Sequence, residues 1–440
     1  MLASLMAASR VPDLKKRIYF LFGMFAVYVI GLHISVPGVN MDALGGQFSG
    51  GLFDLLDAFT GGAFKKYTIF AMGIMPYINA SIIMQLLTIA IPQLEEMQKE
   101  GAAGQKKIRL YTRWLTGGLA LFQAFGTTTM LQSMGAIPAP RGTGLAALGD
   151  PNVWHISIIL VAGTAFLMWM GEQITDKGIG NGVSIVIFTG IVASLPVQVY
   201  NTWTVQTGNR NWLGLALLLI LFVGTIAFMI AVTQAQRKIP IQHVKRIVGN
   251  KMVGGQSSFL PLKVNSAGVI PIIFAVSIQY FPMTVANIFT HGDKENAFTN
   301  IAAGLVPGAD VGFNGEGTIW GAVIYAAMII FFTYFYTAVT FNVKDVSDNL
   351  KKWGSFIPGI RPGKPTQDYL DKIMTRITLA GAIFLSIIAL LQYYVPQLTG
   401  INEFSLVGGT SLLIVVGVAL ETMQAIESHL LMRHYEGFIK

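Results

Sequence analysis

Cysteine is absent from this chain of 440 residues. That excludes disulfide bonds, thiolate metal sites and a cysteine nucleophile. Charge is scarce too: Asp, Glu, Lys and Arg make up 12% of the residues, about half the share of a soluble domain. No G-x-x-x-x-G-K-[ST] loop occurs, so energy for any work must come from a partner or the membrane potential. Six histidines are present, none in a recognisable pairing with a base or nucleophile, which removes an intramembrane enzyme. Ionisable groups are nearly missing from the centres of the apolar runs, with Glu172, Arg376 and Glu421 near run ends. A secondary transporter for a small solute, the rival from another class, needs a charged or acidic site at mid-span.

What remains is apolar surface, 53% of the residues. Ten runs of about twenty apolar residues can be read as membrane spans, over 18–36, 68–91, 110–131, 153–174, 182–202, 212–234, 266–289, 318–341, 374–395 and 408–431. The expected fold class is an all-α polytopic membrane protein. Met1 to Asp13 is weakly amphipathic, and the first run follows Lys15-Lys16-Arg17 with no small-residue cleavage site behind it. The first helix is therefore expected to act as its own insertion signal. About 25 of the 30 Lys and Arg lie in or beside the terminal segments and alternate loops, and the opposite loops hold only Lys65, Lys66, Arg141, Arg210 and Lys294, which places both termini in the cytoplasm. Ten spans divide into halves of five, 1–202 and 203–440. Because five is odd, consecutive halves lie upside down to each other, an inverted repeat with a site at the interface.

The stretch from Gly50 to Pro92 breaks the pattern of plain spans. Leu52 to Phe59 is apolar, only about two turns long, carries Asp54 and Asp57, and stops at Gly61-Gly62; a full span is expected from Thr68 to Ile91. A short half-helix on a glycine hinge implies a cavity, since irregular backbone at membrane depth survives only inside protein or beside water. Its plain alternative is an amphipathic helix lying on the outer leaflet. Either way the segment 52–64 is expected to add little apolar burial and to be dispensable for folding.

Two long loops, 235–265 and 342–373, concentrate Arg and Lys on one side. Such charge is often topogenic and meets only water and anionic lipid. The sharper reading is a docking surface for a large negatively charged partner.

Six words, in order along the chain, carry a more specific message: GIMPYINASIIMQLL (73–87), QKEGAAGQKKIRLYTR (98–113), GIGNGVSIVIFTGIVASLP (178–196), LPLKVNSAGVIPIIFAVSI (260–278), DNLKKWGSFIPGIRPGKPT (348–366) and GGTSLLIVVGVALE (408–421). The chain resembles, end to end, the SecY family of channel subunits of the bacterial protein translocase. The resemblance implies an hourglass pore between two inverted five-helix halves, passing unfolded secretory polypeptide across the plasma membrane and releasing membrane segments sideways into lipid. No cofactor or metal is implied.

Carried onto this sequence, the family's pore ring falls on Ile74, Ile78, Ile187, Ile191, Ile273 and Ile414. Ile74/Ile78 and Ile187/Ile191 are each one helical turn apart and so present one stripe, although any single isoleucine here is more often lipid-facing or packing. Leu52, Phe53, Leu55, Leu56, Phe59, Gly61 and Gly62 match the plug. Gln85 and Gln123 sit where the family keeps polar lateral-gate residues. Ser277 and Gln279 are added because polar groups inside spans are costly unless they face protein or water; the alternative is plain helix–helix hydrogen bonding. For partner docking the resemblance points to Arg361, on a tight Pro-Gly turn, and to Arg246 and Lys251; His243, in the first of the two loops, is expected to be incidental and not catalytic. The implied partners are SecE-like and SecG-like small membrane subunits, the SecA motor ATPase, the ribosome, a translocating polypeptide with its signal sequence, and membrane lipid. No sequence-specific nucleic acid is implied.

Overall fold

The computed structural model describes residues 11–40, 57, 60–133, 135–137, 149–209, 212–243, 246–248, 251–253, 257–290, 319–399 and 409–436. Its elements run α1 (Pro12–Gly31), α2 (Met75–Ala90), α3 (Pro92–Lys99), α4 (Ala102–Ser133), α5 (Pro151–Lys177), α6 (Gly182–Asn209) and α7 (Trp212–Gln234). There follow β1 (Gln236–His243), β2 (Arg246–Val248), β3 (Lys251–Val253) and β4 (Ser257–Lys263). The chain continues with α8 (Ile270–Thr290), α9 (Ile319–Thr340), α10 (Val343–Lys352), β5 (Ser355–Phe356), α11 (Lys364–Thr399) and α12 (Thr410–Glu436).

Every apolar window carries helix, but length and composition qualify fewer than ten. Among the described residues six helices suffice to cross a bilayer, over 151–177, 182–204, 212–234, 320–352, 364–395 and 410–431, and the bent pair α2–α3 makes a seventh. α7 is apolar all round yet only 17% of its central window is buried, against 61% for α11. A helix that is greasy on every face and unburied by protein is one whose solvent is lipid.

The window over 68–91 is corrected. Its helix begins only at Met75, and its 16 residues rise about 24 Å, short of the roughly 30 Å hydrocarbon core. The reason is local: Gly73 takes φ +56, and Pro76 occupies the first helical turn, where its missing N–H costs nothing. Residues 61–74 form turns instead, folded inside the protein. Val36 N–H donates to the Tyr67 carbonyl at 3.0 Å and Ile69 N–H to the Ile34 carbonyl at 3.0 Å, so the non-helical backbone is satisfied by the chain just beyond α1. At its far end α2 meets α3 at a 101° bend, across Ile91 and Pro92. The first helix likewise lies earlier than its window, at Pro12–Gly31.

Burial of residues 60–74 overturns the expectation that 52–64 adds little. Thr60, Ala63, Phe64, Tyr67 and Phe70 are all buried. Phe64 and Tyr67 join Ala120 and Ala124 of α4 and Ile156 and Leu160 of α5 in a core of their own. The main core draws on α2, α5, α6, α7, α8, α9, α11 and α12.

The two basic loops are not loose. β1 pairs antiparallel with β4 from Gln236↔Lys263 to Gln242↔Ser257, and β5 from the second loop adds to the other edge of β1 at Gln242↔Phe356 and His243↔Ser355. Ile239 and Leu262 on this sheet pack against Ile357, Leu370 and Ile373. α10 is capped by Asn342, whose side chain accepts from Lys344 N–H at 3.1 Å and Asp345 N–H at 3.3 Å.

Candidate functional site

Four of the six ring isoleucines converge. Ile74, Ile78, Ile187 and Ile273 line one cavity together with Thr60 and Met75, and its free space is about 10 Å³. That is at the lower edge of what a single water occupies, and the isoleucine walls offer it no hydrogen bonds. Ile191 and Ile414 do not line the cavity. They are buried in the same core as Ile74 and Ile187, with Ile191 fully enclosed. The chain thus gathers aliphatic residues from α6, α8 and the start of α2 around a constriction barely wide enough for one water.

Thr60 and Met75 are lining residues that sequence reasoning missed. Thr60 stands just before the Gly61-Gly62 pair, the one signal that could have flagged it. Its hydroxyl donates to the Asp57 carbonyl at 3.2 Å and accepts from Phe64 N–H at 3.2 Å, while its carbonyl accepts from the buried Tyr28 hydroxyl at 3.2 Å. Asp57 Oδ1 in turn accepts from Lys65 N–H at 2.8 Å. Gly61 then passes α6 at van der Waals range: a Cβ placed on it would stand 2.5 Å from the Gly190 carbonyl oxygen. Gly62 has nothing within 4 Å of the same construction. Leu52, Phe53, Leu55, Leu56 and Phe59 lie outside the described residues.

Around this constriction α2 packs on α4, α8 packs on α9, and α8 touches both α2 and α4. Ser277 and Gln279 of α8 are buried, and the Ser277 hydroxyl has no hydrogen-bond partner among the described residues. Gln123 is half-buried on α4 and Gln85 is exposed on α2.

On the sheet side, Arg361 is exposed on a turn whose flanking Gly359 and Gly363 both take positive φ. Its carbonyl accepts from the Thr366 hydroxyl at 2.8 Å, which anchors the backbone and leaves the guanidinium outward. Arg246 and Lys251 lie on the short paired strands β2 and β3. His243 has a structural place: Nδ1 lies 2.7 Å from Ser355 Oγ and Nε2 3.3 Å from Ser258 Oγ, so one ring joins β5 to β4 across β1. No cluster of His, Asp or Glu suited to a metal occurs among the described residues.

The chain is similar to known proteins over most of its length. The sequence model of the SecY family matches residues 68–423. The protein translocase subunit SecY of Streptomyces scabiei is 41% identical, with 100% of each chain covered. Among solved structures, a SecY whose plug domain stabilises the closed state of the translocation channel and maintains a membrane seal superposes with a TM-score of 0.63 at 16% identity, covering 94% of this chain and 92% of that one. Sec61 in a canine ribosome–channel complex from the endoplasmic reticulum superposes at 0.62 with 15% identity, again over 94% and 92%. At such identities the two structures speak for the fold.

Proposed function

This chain belongs to the SecY family, is a non-enzymatic channel subunit of the protein translocase, and from that premise we propose how its parts work. The constriction of Ile74, Ile78, Ile187 and Ile273 is the closed waist of a pore for unfolded polypeptide, with Ile191 and Ile414 completing the ring. Isoleucine walls dewet a narrow passage and hold back ions, yet they demand no particular side chain of the polypeptide that parts them. The segment from Leu52 to Gly62 is the plug that seats against this ring, with Thr60 as its inner foothold. α2 and α4 on one side and α8 and α9 on the other form a lateral gate, where the unsatisfied Ser277 hydroxyl keeps the contact breakable. Gln85, Gln123 and Gln279 serve the same seam.

Ten spans in two inverted halves, 1–202 and 203–440, with both termini in the cytoplasm of a bacterial plasma membrane, account for the charge distribution. The sheet β4–β1–β5 with Arg361, Arg246 and Lys251 is the platform for SecA and the ribosome in turn, and SecE-like and SecG-like subunits flank the lipid-facing helices. The observation that carries this reading is the sealed cavity among four isoleucines from three parts of the chain. Because the protein has no cysteine, single cysteines placed at 78, 187 and 273 test it cleanly. A secretory chain stalled in transit should cross-link at all three, and a lipid-facing cysteine in α7 should not react. Cross-linking that ignores the ring and follows α7 would end the proposal.

A further inference from the structure

Thr60 lines the constriction beside Ile74 and Ile187, and α1 reaches across to hold it. The Tyr28 hydroxyl donates to the Thr60 carbonyl at 3.2 Å, and both residues are only 2% exposed. Among the described residues that carbonyl is the one hydrogen-bond partner of the Tyr28 hydroxyl. Other contacts crowd the same turn. A Cβ on Gly73 would stand 2.9 Å from Thr60 Cγ2, and Gly61 meets the Gly190 backbone of α6. Thr60 is thus lodged against the turn that leads to Ile74 and Ile78, and its neighbour against the helix that carries Ile187.

The ring of Tyr28 is fixed independently of its oxygen. It stacks on Phe70, with centroids 5.7 Å apart and planes at 15°, and Phe70 stacks in turn on Phe166 of α5 at 6.0 Å. Gly31, three residues further along α1, makes room for this stack, since a Cβ there would overlap the Phe70 ring. Stacked rings hold one another through burial and their quadrupoles, so the hydroxyl is aimed before Thr60 arrives. A phenylalanine would pack here equally well. The oxygen is surplus to the packing, and its partner is a residue at the waist.

The bond weighs unequally on the two states of the channel. With Thr60 in place, donor and acceptor are paired. If Thr60 leaves the waist, its carbonyl can find water, but the Tyr28 hydroxyl stays behind in the apolar core with Leu32 and Phe70. A buried donor without its acceptor is strongly disfavoured, and that penalty falls on the open state alone. We propose that Tyr28 is the positioning residue of the seal: its hydroxyl latches the root of the plug at Thr60 and sets part of the threshold that a client must overcome. The proposal rests on the plug reading above and adds the group in α1 that holds the plug's root.

The test compares four forms of the full chain, each in its membrane complex, in planar bilayers: the parent, Tyr28→Phe, a deletion of 52–59, and both changes together. Tyr28→Phe should raise ion leak about three- to tenfold, the shift expected from one net buried hydrogen bond. Added to the deletion it should change nothing, because the root then carries no plug. If the deletion leaks and Tyr28→Phe does not, the latch is overturned alone. A loss of detergent thermal stability without added leak also overturns it, as the mark of an ordinary structural bond. So does the same multiple on top of the deletion, since the hydroxyl would then act on the waist without the plug. A deletion that leaks no more than the parent sinks the plug reading and the latch with it.

Discussion

Gly61 and Gly190 touch backbone to backbone: a Cβ on the first would sit 2.5 Å from the carbonyl oxygen of the second. Gly61 also holds φ +73, so a side chain there is refused twice, by conformation and by α6. Gly61→Ala should displace Thr60 from the constriction and weaken the closed state by roughly 1–3 kcal/mol. Gly62→Ala, at φ +84 with open space around it, carries only the conformational cost. Planar-bilayer recordings should show more ion leak for Gly61→Ala than for Gly62→Ala; equal leak would mean that the contact with α6 has no part in sealing.

The plug can be trimmed, but not as far as its sequence suggests. Deleting 52–59 should leave a folded protein that leaks ions and accepts weaker signal sequences. Extending the deletion to Phe64 removes the Thr60 carbonyl from the buried Tyr28 hydroxyl and takes Ala63 and Phe64 out of the interior. Losing a Phe-sized group from a core costs about 3–5 kcal/mol, so the longer deletion should fail in a detergent thermal-stability assay where the shorter one survives.

Arg361→Glu should abolish SecA-driven export and spare expression and insertion, because the guanidinium is exposed and the turn is held by the Thr366 hydroxyl instead. Reversal of a charge that is desolvated on docking costs a few kcal/mol, whereas a solvated one costs almost nothing. Normal export rates with purified SecA would remove the residue from the docking surface.

Ile414→Asn puts an amide into a core shared with Ile74 and Ile187. The closed packing should lose on the order of 1–3 kcal/mol, and each 1.4 kcal/mol or so shifts the closed-to-open ratio tenfold. Proteins with defective signal sequences should then be exported, since less binding energy is needed to part the ring. Ile387→Asn is the control, for Ile387 is 47% exposed on α11. Like behaviour of the two variants in that export assay would falsify the ring assignment.

How far the sequence could be read depends on whether a feature is local. α7 occupies 212–234 in both the reading and the structure, because an unbroken apolar run between polar ends has one interpretation. The window at 68–91 misled, since hydropathy does not register that Gly73 turns the chain or that buried turns can be as apolar as a helix. The stripes Ile74/Ile78 and Ile187/Ile191 were legible as spacing, but which isoleucines face the waist came from resemblance alone. Pairing of His243 with Ser355 spans 112 residues, and nothing in either loop's charge announces it.

The pairing of β1 with β4 on one edge and β5 on the other has a mechanical meaning. Gln236 and Lys263 face each other at the open end of the hairpin, two residues after the end of α7 and seven before the start of α8. Separating those two helix ends would peel the hairpin one pair at a time from Gln236 and Lys263, so the seven paired residues tie the helices most weakly where they meet the sheet, while β5 joins β1 only at the far end, through Gln242 and His243.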